Sequence, residues 1–198
     1  VMVVKRYSED PNTYWPLIER FRLQTWAEGN DSLTYKKYNP DNPDIETWMC
    51  FKDDKLISIS AAERSHYTND PNEVVRICRY HILKDYRFTH CGLIMGEHQI
   101  KWARENKFEL LYITHDIKKR AINRLYQRRK KMTVPSFEEH TKGEWYNSLQ
   151  LEKDFLFKTG KMLQYVYSIR LQNPNYVWKP MSKYIVERTH DGRIFDKT

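Results

Sequence analysis

The stretch EVVRICRYHILKDYRFTHCGLIMGEHQIKWARE, from Glu73 to Glu105, decides how this chain folds. Its first part, Val74 to Leu83, is apolar and rich in β-branched residues, as a strand should be. Lys84 to Cys91 is a short polar turn. From Gly92 the pattern becomes helical, with Leu93, Gly96, Ile100 and Ala103 on one face. A strand, a turn and a helix start can make an anion site. The helix's free N–H groups point at the turn, and its dipole places about half a positive charge there. Arg87 sits in the turn and can add a full charge.

The residues alone leave two readings of this turn open: a phosphate loop, or an ordinary strand-to-helix connection with one glycine and one arginine. The order of elements around it bears on the choice. Val3, Val4 and Tyr7 suggest a first strand. Asp10-Pro11-Asn12 opens a helix, with Asn12 or Thr13 as cap and Tyr14, Leu17, Ile18 and Phe21 on one face. Gly29-Asn30 ends it, and a loop holding Tyr35 and Tyr38 follows. Glu46 to Phe51 and Lys55 to Ala62 read as a hairpin turning at Asp53-Asp54. Ile57 and Ile59 alternate with Ser58 and Ser60, which predicts one buried face. His66 to Asn72 is a second polar loop before the central strand. In the helix from Gly92, Met95 and Trp102 lie opposite the core face, so this helix is expected to be covered on two sides. Phe108 to Thr114 is an apolar strand. Ile117 to Lys131 is a basic helix with Ile117, Ala121 and Leu125 spaced four apart. Phe155 to Phe157 and Met162 to Leu171 pair as two more strands around Thr159-Gly160-Lys161. The order is β-α-β-β-β-α-β-α-β-β, with no internal repeat.

This order and the Glu73–Glu105 stretch together resemble the GNAT N-acetyltransferase superfamily. That family carries Arg/Gln-x-x-Gly-x-Gly/Ala between its fourth strand and the next helix. Here the residues are Arg87, Phe88, Thr89, His90, Cys91 and Gly92. Arg87 and Gly92 match, and His90 stands where the first glycine is expected. Histidine is among the residues enriched at positive φ, so it is compatible with a left-handed backbone there. The helix close, Lys101 to Asn106, is similar to the family's, and the resemblance spans roughly Val3 to Lys130.

The resemblance implies an α+β fold: a central mixed sheet flanked by helices, of the acyl-CoA N-acyltransferase type. It implies transfer of an acetyl group from acetyl-CoA to an amine by direct attack, the acceptor being open. Ile82, Leu83 and Lys84 would flank the pantetheine arm of coenzyme A. Arg87, Phe88, Thr89, His90, Cys91, Gly92 and Leu93 would cradle its pyrophosphate. The catalytic base is expected among Glu63, Glu73 and His81, of which the histidine needs the least pKa tuning. Each is also readable as a surface or structural residue. Tyr126, on the helix after the fifth strand, would protonate the departing thiolate. The alternative for Tyr126 is a ring packed under the sheet.

Composition sets the outer bounds. At 198 residues, 40% hydrophobic and 30% charged, the chain is long enough for one cored domain and is not of disordered type. A single domain is expected over 1–198, with its core at about 3–171 and an irregular extension over 172–198. No apolar run has the length of a membrane span and no signal peptide is visible, so no membrane partner is expected. The three cysteines, Cys50, Cys78 and Cys91, show no metal spacing and predict no disulfide, hence a reducing, cytoplasmic setting. Cys91 is expected to be the most reactive, beside a helix N-terminus and Arg87. The seven histidines show no ligand spacing, so no metal is expected. The net charge of +8 favours anionic partners. The rival reading is therefore a basic nucleic-acid-associated module, or a GNAT-fold protein that binds coenzyme A without catalysis. No RNA or DNA motif supports a nucleic-acid partner, and a homodimer stays open.

Overall fold

The structure, a computed structural model, describes residues 1–27, 40–64, 74–87, 89–127, 148–159, 162–171 and 193–197. Two compact units divide the chain. One comprises Val1–Glu63 and Ile77–Gln99, the other Arg64–Arg76 and Ile100–Thr198.

The first unit holds β1 (Met2–Arg6), α1 (Pro11–Ala27), β2 (Ile45–Lys52), β3 (Lys55–Arg64), most of β4 (Val74–Ile82) and the start of α2 (Cys91–Glu105). Its strands run in the order β1-β2-β3-β4. Asp53 (φ 49°) and Asp54 (φ 63°) both take the left-handed backbone. Two such residues make the hairpin turn whose twist suits antiparallel strands, and Lys52 pairs with Lys55 to close it. The cap of α1 is Asp10 rather than Asn12 or Thr13. Its Oδ1 accepts from the Thr13 amide at 3.2 Å. Pro11 takes the first helical position, where a missing N–H costs no bond. Ile18 and Phe21 of α1 pack with Tyr7, Met49, Ile59, Ala61 and Leu83.

The alternation in β3 predicts one buried face, but Ile57, Ser58, Ile59 and Ser60 are all fully buried. The serines are tolerated because each finds a partner. Ser58 Oγ donates to the His81 carbonyl at 2.8 Å, and Ser60 Oγ accepts from Gln99 Nε2 at 2.7 Å. A small hydroxyl therefore marks a covered face here.

The second unit holds the first residues of β4, then β5 (Leu110–Asp116), α3 (Arg120–Gln127), β6 (Gln150–Thr159), β7 (Met162–Arg170) and β8 (Arg193–Lys197). Its strands run β4-β5-β7-β6-β8. A strand, a crossover helix and a second strand, here β4, α2 and β5, is the connection a mixed sheet uses. On α2, Leu93, Gly96, Ile100 and Ala103 are buried as the pattern predicts. Met95 is buried too, and Trp102 is half-buried with its ring 5.5 Å from that of Phe108, so α2 is covered on two sides. The helix closes through Lys107, left-handed at φ 60°. The Phe108 amide bonds the Ala103 carbonyl and the Lys107 amide bonds that of Arg104. This is the Schellman arrangement, with Phe108 and Trp102 as its apolar contact. Because Phe108 serves the helix end, β5 starts two residues later than the apolar run suggests.

Two further expectations change. The face Ile117, Ala121, Leu125 is not the buried one: Ala121 is exposed, and α3 turns Asn123 and Tyr126 inward. The extension over 172–198 is not wholly irregular, since Arg193–Lys197 form β8 on β6. Among the described residues no helix is long and apolar enough to cross a membrane.

Candidate functional site

β4 ends where two bonds fix it. The Leu83 amide donates to the Ile57 carbonyl at 2.9 Å, which extends the β3–β4 pairing one residue past Ile82. Leu83 is buried, and Ile82 is half-buried. Lys84–Tyr86 then form a 3-10 turn, with the Tyr86 amide on the Leu83 carbonyl at 2.8 Å. Exposed Arg87 folds back, its Nε donating to the Ile82 carbonyl at 3.2 Å. The Thr89 hydroxyl donates to the Tyr86 carbonyl at 2.7 Å. The turn is therefore a bonded structure, not a slack link.

His90 is the last residue before α2, and its carbonyl accepts the first helical bond, from Ile94 at 3.0 Å. It is exposed and does not take a positive φ, so the left-handed backbone considered for it is absent. The Cys91 amide donates to Thr89 Oγ1 at 3.4 Å. The amides of Gly92 and Leu93 follow in the first turn, where no acceptor exists within the helix. Gly92 presents no side chain over them. A backbone of this kind admits an anion closely. The sequence reading missed a contribution from the β2–β3 hairpin. The ammonium groups of Lys52 and Lys55 lie 5.7 and 5.5 Å from the Tyr86 ring centroid. The pair Lys52–Lys55 was a visible signal, because like charges opposite one another in a hairpin cost stability unless something between them compensates.

Cys91 begins α2 but is fully buried, with its sulfur 4.0 Å from that of Met95. A hydrogen bond from Cys50 lowers its thiol pKa, and Cys50 is pushed up in turn. The thiolate of Cys91 is thus favoured, as expected, but by Cys50, and burial shields both thiols from reagents, which counts against Cys91 as the most reactive.

The expected catalytic residues are dispersed. Phe88 and Glu73 lie outside the described residues. His81, on β4, is buried with its ring edge-on to Phe21 of α1 at 5.9 Å. Glu63, near the end of β3, is half-buried and pairs with Ile45. Tyr126 belongs to the second unit and is buried among aromatic rings. Its ring centroid is 4.8 Å from that of His115 and 5.1 Å from that of Tyr167.

That cluster has a definite frame. Asn123, Tyr126 and Gln127 sit three and four apart on α3, so they share a side of the helix. The Tyr167 hydroxyl donates to Asn123 Oδ1 at 2.8 Å and accepts from Gln127 Nε2 at 3.2 Å. Asn123 Nδ2 donates to the Asp116 carbonyl at 2.8 Å, which ties α3 to the end of β5. Tyr167 pairs with Ile113, and His115 lies two residues on, on the same face of β5. Burial pushes the His115 imidazole pKa down to about 3, and the Lys119 ammonium adds to this. Its Nε2 is buried and, among the described residues, has no hydrogen-bond partner. The sequence reading singled out neither His115 nor Asn123. Among the described residues no cluster of His, Cys, Asp and Glu suits a metal ion.

No protein-family model and no curated protein matches the chain. Solved structures do. An aminoglycoside 6'-N-acetyltransferase complexed with coenzyme A is similar at TM-score 0.57 and 10% identity, over 88% of this chain and 99% of that one. An acetyltransferase of the GNAT family from Streptococcus pneumoniae is similar at 0.54 and 12%, over 87% and 100%. An aminoglycoside 6'-acetyltransferase type Ii is similar at 0.57 and 10%, over 86% and 98%. At these identities the likeness establishes the fold: a mixed sheet with flanking helices, that of the GNAT acyltransferases.

Proposed function

We propose that this chain is an N-acetyltransferase that moves an acetyl group from acetyl-CoA to an amine. The observation that carries the reading is the junction of β4 and α2. There we read the bonded turn, Gly92 and the first amides of α2, beside Arg87, as an anion cradle. The fold supports it, since one solved neighbour is complexed with coenzyme A. The chemistry of the residues supports the fit: Gly92 adds no side chain beside the first amides, and Arg87 with the dipole of α2 complements the charge of phosphate oxygens.

Arg87, Thr89, His90, Cys91, Gly92 and Leu93 hold the pyrophosphate in this reading, and Ile82, Leu83 and Lys84 lie along the pantetheine arm. Bound acetyl-CoA supplies an activated thioester. The chain contributes positioning, which converts an encounter of two reactants into a local event. Tyr126 Oη holds the proton that the departing thiolate takes up; a phenol suits this because its pKa of about 10 is near that of an alkyl thiol. Among the described candidates for the base, buried His81 is committed to packing on Phe21, so Glu63 or water takes the proton of the amine.

The test is release of CoA thiol from acetyl-CoA in the presence of a panel of primary amines, aminoglycosides included. Amine-dependent release by the wild-type protein is expected. Binding of acetyl-CoA without release from any amine would reduce the protein to a coenzyme A binder.

A further inference from the structure

The end of the β2–β3 hairpin carries charge that the proposed function leaves unused. Lys52 and Lys55 close the hairpin as directly opposed residues. Like charges in that position repel and cost stability. Here both ammonium groups also converge on one ring, 5.7 and 5.5 Å from the centroid of Tyr86. The electron-rich face of the ring offsets part of the repulsion and keeps the two cations together. It carries no full negative charge and does not neutralise them. Among the described residues no carboxylate does so either, since neither lysine forms an ion pair. Asp53 and Asp54, the two acids in the turn between them, line a cleft with Val3, Tyr14 and Phe51, and Asp53 pairs with the Val1 ammonium. Lys52 is half-buried and Lys55 exposed, so solvent reaches the pair. Tyr86 in turn belongs to the link into α2. Its carbonyl accepts from the Thr89 hydroxyl at 2.7 Å, and Thr89 Oγ1 accepts from the Cys91 amide at 3.4 Å. Two hydrogen bonds thus join the residue that holds the lysines to the first amide of α2, all within the first unit.

We infer that Lys52 and Lys55 form a second anion site, which takes the 3'-phosphate of coenzyme A while the first turn of α2 takes the pyrophosphate. The inference rests on the proposed acetyltransferase activity and deepens it. Coenzyme A carries a phosphate monoester on the ribose 3'-oxygen, one sugar away from the pyrophosphate on the 5'-oxygen. Site and ligand match in charge. A phosphate monoester carries close to two negative charges at neutral pH, and two ammonium groups complement it. A phosphodiester, as in a nucleic-acid backbone, carries one charge and is the weaker complement. Because one ring already holds both lysines, they lose less freedom on binding than two separate surface lysines would. The role is discrimination. These residues touch no reacting atom, and they separate coenzyme A from its 3'-dephospho form.

The test is calorimetric titration of the full chain with CoA and with 3'-dephospho-CoA at two salt concentrations. Wild type should bind CoA about tenfold more tightly, the size of one charge-assisted contact, and added salt should shrink that margin. Lys52→Gln combined with Lys55→Gln should bring CoA down to the level of dephospho-CoA, whose own affinity should change by less than about twofold. Equal affinity of wild type for the two ligands overturns the inference while the acetyltransferase reading stands. So does a double variant that keeps the wild-type margin or weakens both ligands alike. If the wild type binds neither ligand, the reading itself fails and takes this site with it. If the double variant does not fold, Lys55→Gln alone, at an exposed position, decides: it should cut the margin, and a margin unchanged from wild type overturns the inference.

Discussion

Arg87 Nε donates to the carbonyl oxygen of Ile82, five residues earlier, at 3.2 Å. The guanidinium thus closes the turn it belongs to, at the end of the strand expected to run along a pantetheine arm. Arg87→Ala should weaken acetyl-CoA binding about tenfold, the loss of one charge-assisted contact. The salt dependence of binding should weaken with it. Arg87→Lys should not restore affinity, because an ammonium lacks the planar fork that reaches a carbonyl and a phosphate together. Titrations at two salt concentrations check this; full affinity in Arg87→Lys contradicts it.

Thiol reactivity should follow burial and not the helix dipole. Cys50 and Cys91 are fully buried, whereas Cys78 is half-buried. In the folded protein a thiol reagent should label Cys78 first, with Cys50 and Cys91 slow. Unfolded without reductant, the chain should give three free thiols. Rapid labelling of Cys91 in the native state would contradict the placement of α2 against the core.

Tyr126 and Tyr167 touch, but substitution should separate their roles. Tyr126→Phe keeps the buried ring and removes the proton. Turnover should fall 10²–10⁴-fold, the range for general-acid help, with acetyl-CoA affinity unchanged. Tyr167→Phe removes the donor to Asn123 Oδ1 and leaves a buried oxygen unpaired. A cost of about 2 kcal/mol is expected, seen as a fall in melting temperature of roughly 4–8 °C. Turnover by Tyr126→Phe at the wild-type rate would leave that tyrosine a packing residue only.

His115 should make the protein sensitive to mild acid. Its folded pKa of about 3 lies below the ordinary value near 6.5. Between those values the unfolded chain binds a proton that the folded chain does not. The stability this contributes is complete above about pH 6.5 and is lost as the pH falls toward 3, by at most about 1.4 kcal/mol per pH unit. His115→Gln should remove that part of the slope. Parallel stability curves for the two proteins from pH 7 to 4 would contradict it. The groups to weigh in the comparison are Lys119, Tyr126 and Tyr167, which act on or touch the ring.

The strand–turn–helix stretch was legible because its signals are local. Gly92 and the three- and four-residue spacing of α2 need no knowledge of distant chain. The α2 cover on two sides was legible from Met95 and Trp102 for the same reason. What failed depended on partners far away in sequence. Ser58 and Ser60 looked solvent-facing until His81 and Gln99 supplied their bonds. The inward face of α3 was misread because its buried residues are Asn123 and Tyr126, while the apolar Ala121 is outside. Hydrophobic spacing cannot find a helix that is anchored by a hydroxyl 44 residues away. β8 escapes a sequence reading because Arg193–Lys197 is short and carries three charges in five residues, and its pairing to β6 is with chain far away in sequence.

The central claim is that the first turn of α2 receives the pyrophosphate of acetyl-CoA. Gly92 is buried in helical backbone there; helix propensity favours alanine at such a position, and the melting temperature checks that Gly92→Ala stays folded. Its methyl group nonetheless occupies the approach to the amides, and Gly92→Asp adds a negative charge to that obstruction. Calorimetric titration with acetyl-CoA should show binding by wild type, clear weakening in Gly92→Ala, and no measurable binding in Gly92→Asp. Equal affinity in wild type and Gly92→Ala, with both proteins folded, would contradict the account.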